Sequence, residues 1–246
     1  MVSKTFVALF LLGGAAVFPA AAADRPLKGV VELFTSQGCS SCPPADRALE
    51  ALIRQGDVVA LAYHVDYWNY LGWNDTLASP ENTKRQYGYA KSLGRSGVYT
   101  PQAVVNGRDH IKGTDAGAIN RKLDGFRDGG QGLTVPVQAR MRGDEIEISI
   151  GAGAGKADVV VVYYRSLENV AMLKGENKGK TIAYLNSVTD VQTVGMWDGK
   201  ALQLVLPANV VSSDKNDGCA ILLQASGKKG EPSTILGATI LDGSKS

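Results

Sequence analysis

The sequence has little cysteine, with only three in 246 residues. So few sulfurs exclude a small scaffold held together by many disulfides, and a hydrophobic core must supply the stability. The formal charge is also small, +2 at pH 7, which gives no electrostatic case for binding nucleic acid or an anionic membrane. After the amino-terminal segment, no apolar run reaches the roughly 20 residues that a membrane-spanning helix needs. We therefore expect a globular protein with no membrane anchor.

The amino-terminal residues have the pattern of a secretory signal peptide. Lys4 supplies a positive start, an apolar run extends from Phe6 to Val17, and the small residues Ala21–Ala23 end it. This order of charged, apolar and small segments is typical of a leader that is cleaved, here after Ala23. The rest of the chain is then expected to be periplasmic or secreted, where its cysteines meet an oxidising environment.

Residues 24–129 alternate strand and helix patterns. Apolar β-rich runs predict strands, and Pro43–Pro44 and Ser79–Pro80 mark helix starts. The predicted order is strand 29–34, a helix from 43 to 56, strand 57–65, a helix from 79 to 93, a hairpin around Asn106–Gly107 and a helix from about 114 to 126. A strand-helix-strand crossover requires parallel strands. The β-α-β-α-β-β-α order predicts a thioredoxin-like α/β domain with its cysteines directly after the first strand.

Residues 130–246 follow a different pattern. They contain seven or eight β-like runs separated by turn-forming residues, and several runs alternate apolar and polar side chains. In one of them Ile146, Ile148 and Ile150 share a face opposite Glu145 and Glu147. This pattern predicts an all-β antiparallel sandwich as a second domain, joined to the first near residue 129.

The stretch SQGCSSCPPAD, residues 36–46, places Cys39 and Cys42 two residues apart before a predicted helix. The positive end of a helix stabilises a thiolate, so Cys39 is expected to be the attacking nucleophile. Cys42 would then attack the mixed disulfide and release the partner. The expected partner is a protein thiol or disulfide, and this reaction requires no cofactor.

Several other residues are expected near the cysteine pair. Thr100–Pro101 begins the strand that faces the dithiol, and its position predicts a cis bond that leaves backbone groups free to bind a partner. An ordinary trans proline at a strand start is the alternative. Glu32 lies in the first strand and could take up the proton of Cys42, or else face solvent or pair with a lysine at the sheet edge. His64 could tune the thiolate or be a structural histidine.

The loop after His64 is unusually aromatic. Asp66 lies with His64 at the carboxyl end of the second strand, and the aromatic residues after it are Tyr67, Trp68, Tyr70 and Trp73. These aromatic side chains either line the site or pack the loop. Cys219 has the pattern of a buried strand residue that needs no function.

Two other functions fit the cysteine pair. Cys39, Cys42 and His64 could bind copper or zinc, as in thioredoxin-like copper chaperones, although those proteins space their cysteines more widely and this chain has no methionine cluster. A disulfide with a purely structural role is the third possibility. So short a loop removes little chain entropy, which makes it a weak staple.

Four motifs resemble those of a bacterial family of exported proteins, the domain of unknown function 1223. They are VVELFTSQGCSSCPPAD, HVDYWNYLGWND, YTPQAVVNG and GENKGKT, and the resemblance extends over nearly the whole chain. It implies a thioredoxin-like fold, which agrees with the predicted order, but no known substrate. The residues it highlights are Cys39, Cys42, His64, Asp66, Trp68, Thr100 and Pro101. GENKGKT has no role that the sequence can supply beyond a turn between two strands.

Overall fold

The computed structural model describes residues 26–208 and 216–242. These residues form a mixed α/β structure, and the three α-helices among them all lie before residue 129. The helices are α1 (Pro43–Gln55), α2 (Pro80–Ser92) and α3 (Ala116–Asp128), and the strands are β1 (Gly29–Thr35), β2 (Val58–His64), β3 (Gln102–Val105), β4 (Asp109–Lys112), β5 (Val137–Arg142), β6 (Glu145–Ile150), β7 (Ala157–Ala171), β8 (Thr181–Trp197), β9 (Leu202–Pro207), β10 (Gly218–Ser226) and β11 (Pro232–Asp242).

The first half has the element order that its sequence predicts. The prolines at residues 43 and 44 begin α1, and Gly56 ends it in the left-handed conformation. The Ser79 side chain accepts a hydrogen bond from the amide of Asn82 and caps α2. β1 and β2 pair in parallel, and β3 and β4 continue the sheet on the other side of β1 as an antiparallel hairpin.

One sheet joins the two halves of the chain. Its eight strands have the order β11-β10-β7-β8-β2-β1-β3-β4, and the two halves meet where β2 and β8 pair in parallel at Ala62 and Ser187. The remaining strands form a small sheet, β5-β6-β9. The predicted all-β sandwich is therefore not confirmed, because four of the seven strands in the second half extend the sheet of the first half. The division into domains at residue 129 stays a prediction.

The side chains of β1 alternate between the two faces of the large sheet. Val31 and Leu33 face α1 and α3, whereas Val30 and Phe34 face α2. The small sheet covers β7 and β10 of the large sheet, on the face opposite α2. Its Ile146, Ile148 and Ile150 are buried there, as their shared face predicts. These layers bury the carboxyl ends of β1 and β2, where the cysteine loop begins.

Some expectations concern residues outside the described part. The predicted signal peptide, residues 1–23, lies outside the described residues. Within residues 26–208 and 216–242, none of the helices is long and apolar enough to cross a membrane.

Candidate functional site

The cysteine loop lies between β1 and α1 and contains a disulfide between Cys39 and Cys42. Cys42 is the last residue before the helix, and its carbonyl accepts the amides of Ala45 and Asp46. The pair therefore lies at the amino-terminal end of α1, as expected. Both cysteines are buried, with 2% of Cys39 and none of Cys42 exposed.

Thr100 and Trp68 adjoin the first sulfur. The Thr100 hydroxyl donates to Cys39 Sγ at 3.3 Å and accepts a hydrogen bond from Trp68 Nε1 at 2.8 Å. The bond between Thr100 and Pro101 is cis, as its position in the sequence predicts. The structure thus brings together four of the expected residues, namely Cys39, Trp68, Thr100 and Pro101, from three separate segments of the chain.

His64 lies next to the cysteine loop because β1 and β2 are parallel, and this pairing places it beside Thr35. Its Nδ1 is 2.8 Å from Asp75 Oδ2, and the same carboxylate oxygen accepts the amide of Gln37 at 2.8 Å. Burial lowers the pKa of His64, but the charge and hydrogen bond of Asp75 outweigh it and raise the pKa above 6.5. Asp75 therefore links the imidazole to the backbone just before Cys39.

Asp46 is a second buried acid that belongs to this cluster. It lies one helical turn after Cys42 on α1, and its Oδ1 accepts the Thr35 hydroxyl at 2.7 Å. Burial raises the pKa of Asp46 to about 6, although the nearby His64 and the Thr35 hydroxyl oppose the shift. Asp46 Oδ2 and His64 Nε2 are both buried, and neither has a hydrogen-bond partner among the described residues. Asp46 can therefore hold or release a proton near neutral pH.

The raised pKa of Asp46 predicts a pH-dependent loss of stability. Between pH 3.8 and about 6 the native state retains a proton that the unfolded chain has released, so stability decreases as pH rises through this window. A shift of this size corresponds to about 3 kcal/mol. Relative to Asp46→Asn, the wild type should lose about this much stability in urea unfolding between pH 3.5 and 7, because the other titrating groups are common to both proteins.

A matched control is Asp144→Asn, because Asp144 is exposed in the turn between β5 and β6. This variant should keep the slope of the wild type. An unchanged slope in Asp46→Asn would contradict the assignment of the buried proton to Asp46.

Glu32 does not join this cluster. It lies on the opposite face of the sheet, where its Oε1 accepts Arg85 Nε at 2.8 Å and its Oε2 accepts the Tyr89 hydroxyl. Arg85 also donates to Gln224 Oε1 at 2.8 Å and so connects α2 with β1 and β10. The residues of β1 that point toward α1 are Val31, Leu33 and Thr35, and an even-numbered residue such as Glu32 cannot reach Cys42. Its carboxylate pairs with an arginine inside the fold rather than with a lysine at the sheet edge.

Asp66 also faces away from the disulfide. Its Oδ1 accepts the Thr83 hydroxyl at 2.6 Å, which fastens the aromatic loop to α2. The aromatic residues of this loop divide between the two expected roles. Trp68 adjoins the site, the Trp73 indole donates to Gln37 Oε1 at 2.8 Å, and Tyr70 stacks on Trp68 with 78% of its surface exposed.

The ligand set considered for a metal is already engaged in other contacts. Cys39 and Cys42 share a disulfide, and His64 Nδ1 contacts Asp75. In the part of the chain that the structure describes, no group of three or more histidine, cysteine or acidic side chains is arranged to hold a metal ion. Cys219 lies buried in β10, outside the disulfide, as its sequence pattern predicts.

The second half of the chain covers the site. In the β7–β8 hairpin, the Tyr184 ring of β8 packs edge-on against the His64 imidazole with centroids 4.7 Å apart. Asn186, next to the contact with β2, has a positive φ of 46°, and its side chain donates to the Ala60 carbonyl at 2.9 Å. This hydrogen bond anchors the hairpin to β2 as it crosses the site.

Asp46, Asp75 and the contribution of the hairpin to the site were not predicted from the sequence. A signal was present for Asp46, because residues four apart on a helix share a face and Asp46 follows Cys42 at that spacing. Asp75 ends the aromatic loop at no regular spacing from the cysteines. The hairpin contacts arise from strand pairing over a long sequence separation, which no local pattern shows.

The chain is similar to a sequence family and to a solved structure. A family model described as "Protein of unknown function (DUF1223)" matches residues 30–224. The chain is also similar to a structural-genomics target protein from Agrobacterium tumefaciens whose crystal structure is known. The two sequences are 58% identical, the match covers 91% of this chain and 98% of the other, and the structures superimpose with a TM-score of 0.84. No curated protein matches the chain.

Proposed function

Because the chain belongs to the family "Protein of unknown function (DUF1223)", whose description names no activity, we propose a function from the site itself. The protein is a thiol–disulfide oxidoreductase with a thioredoxin-like catalytic half. It acts on a cysteine pair of a partner protein through Cys39 and Cys42. The single observation that carries the proposal is that the Thr100 hydroxyl lies 3.3 Å from Cys39 Sγ. Thr100 directly precedes Pro101, and the cysteine pair lies at the start of α1.

The exchange conserves atoms and electrons in either direction. In the oxidising direction a partner thiolate attacks Cys39 Sγ, a new sulfur–sulfur bond forms, and the bond between Cys39 and Cys42 breaks with Cys42 as the leaving thiolate. The second partner thiolate then attacks the mixed disulfide and releases Cys39. The partner loses two electrons and two protons, and the two cysteines gain them. The reverse sequence reduces a partner disulfide, with Cys39 attacking and Cys42 resolving.

Two groups in the site have a place in this reaction. Thr100 donates to Cys39 Sγ, so its hydroxyl can stabilise negative charge that develops on that sulfur. Asp46, whose pKa burial raises to about 6, is held near Cys42 by the hydrogen bond from its own amide to the Cys42 carbonyl. It is the candidate for exchanging the proton of Cys42 with solvent.

The compartment is part of the proposal. Disulfides persist in oxidising compartments, and the leader pattern of residues 1–23 directs the protein to one. Amino-terminal sequencing of the exported protein should read Asp24 first.

The test is catalysed exchange with a peptide that contains two cysteines. Wild-type protein should accelerate peptide disulfide exchange, followed by mass spectrometry, and Cys39→Ala should lower the rate to the uncatalysed level. Cys219→Ala removes the remaining cysteine, which is buried outside the site, and should retain the wild-type rate. Equal rates for wild type and Cys39→Ala would overturn the proposed function.

A further inference from the structure

The turn that joins β7 and β8 lies directly on the cysteine loop. We name this turn, residues 172–180, the cap. It contains most of the GENKGKT motif, for which the sequence indicates only a turn between two strands. Asn177 Nδ2 donates to the carbonyls of Gln37 at 2.9 Å and Cys39 at 3.1 Å, and Glu176 Oε2 accepts the Ser40 amide at 3.1 Å. The cap therefore binds the backbone on both sides of the first sulfur.

The cap is built to present Asn177 in one orientation. Lys180 Nζ donates to Asn177 Oδ1 at 2.8 Å, and because an ammonium can only donate, the amide nitrogen must face the cysteine loop. Asn177 is 1% exposed, as expected for a side chain enclosed by its partners. Gly175 has a φ of 75°, and a Cβ there would lie 2.9 Å from Trp73 Cβ, so the glycine lets the cap approach the aromatic loop closely.

This arrangement limits access to the disulfide. A thiolate must approach the attacked sulfur closely, so exchange depends on how open that sulfur is. Cys39 is 2% exposed, with Thr100 contacting its sulfur and the cap contacting its backbone. The cap makes only three hydrogen bonds to the cysteine loop, so it can open locally without unfolding the protein.

The groups that the cap occupies are backbone groups. The Gln37 and Cys39 carbonyls accept from Asn177, and the Ser40 amide donates to Glu176. An extended polypeptide carries amide donors and carbonyl acceptors at regular spacing and can replace all three hydrogen bonds. A small thiol has no such groups in that arrangement and leaves the buried Gln37 and Cys39 carbonyls without a replacement partner when it displaces the cap.

We propose that Asn177 and Glu176 determine the substrate class of the disulfide. Partners that are extended polypeptides displace the cap by replacing its hydrogen bonds and reach Cys39, whereas small thiols are excluded. This inference rests on the proposed function for the identity of the partner. The covering of the disulfide by the cap can be measured independently of that function.

The experiment compares the full-length wild type with Asn177→Ala. Reduction of the disulfide by dithiothreitol, followed by alkylation and mass spectrometry, should be about tenfold faster in the variant, the factor expected for losing two hydrogen bonds of ordinary strength. Reduction by an extended peptide dithiol should change less, so the preference for the peptide should fall. Lys178→Ala is the matched control, because Lys178 is an exposed neighbour in the cap, and its rates should stay within about twofold of the wild type.

Thermal unfolding of each variant separates a local opening from a loss of fold. If Asn177→Ala does not fold, Glu176→Ala is used in its place. The exposed Glu176 side chain makes one of the three hydrogen bonds, and removing it should increase the rate of reduction by dithiothreitol about threefold. Equal dithiothreitol rates in the wild type and in the folded variant would overturn the inference. If dithiothreitol reduces the variant faster but the wild type exchanges no peptide disulfide, the cap does cover the disulfide and the proposed oxidoreductase function is wrong.

Discussion

Replacing Cys42 with alanine is expected to stop turnover and to leave the partner attached to Cys39 through a mixed disulfide. Without Cys42 the protein has no sulfur that can resolve the intermediate, because Cys219 is buried in β10, away from the site. The steady-state rate should fall on the order of a thousandfold or more, as is usual when a residue that forms or breaks the reacting bond is removed. The probe is a peptide whose single cysteine carries a small aromatic thiol as an activated disulfide. The Cys39 thiolate attacks the peptide sulfur, the mixed disulfide forms and the aromatic thiol leaves, so non-reducing electrophoresis of the variant detects the adduct.

The double variant Cys39→Ala, Cys42→Ala is the control for this experiment and should form no adduct. Mass spectrometry of the trapped species should locate the peptide on Cys39, since the Thr100 hydroxyl contacts that sulfur. An adduct on Cys219, or none on any cysteine, would count against the assignment of the two sulfurs.

Replacing Arg85 with methionine is expected to lower the free energy of unfolding by about 3–5 kcal/mol. The side chain of Glu32 is fully buried and that of Arg85 is 11% exposed, so the change leaves an uncompensated carboxylate inside the fold. It also removes the hydrogen bond to Gln224 and the stacking of the guanidinium over the Tyr63 and Tyr89 rings, whose centroids are 5.4 and 5.3 Å away. Urea unfolding at pH 7 measures the loss.

Two further variants identify its cause. Arg54→Met breaks an exposed ion pair with Glu50 on α1 and should cost less than about 1 kcal/mol. In the double variant Glu32→Leu, Arg85→Met the buried charge is gone, and most of the lost stability should return. A loss below about 1 kcal/mol in Arg85→Met would show that the pair does not stabilise the fold.

The architecture of residues 26–128 was predictable because its signals are local. Prolines, capping residues and a left-handed glycine define the helices, and a strand-helix-strand crossover forces β1 and β2 to be parallel. This parallel pairing places Thr35 beside His64 at the carboxyl ends of the two strands. Position in the chain also indicates that Thr100–Pro101 faces the cysteine pair.

The rest depends on pairing between distant segments. The sequence shows that the second half consists of strands, but the alternation of a strand does not say which sheet it joins, and so β8 could not be assigned to the edge of β2. Glu32 illustrates the same limit. An acid in an apolar strand is visibly unusual, but only the sheet geometry reveals that it faces Arg85 and not the cysteines.

The sequence separation between the cap and the cysteine loop has a consequence for the order of folding. Asn177 lies 138 residues after Cys39, and chains fold progressively from the amino-terminal end. If the chain is exported as proposed, amino end first, the two cysteines reach the oxidising compartment before the cap. An oxidant there can join the two sulfurs directly, and the cap then covers a disulfide that already exists.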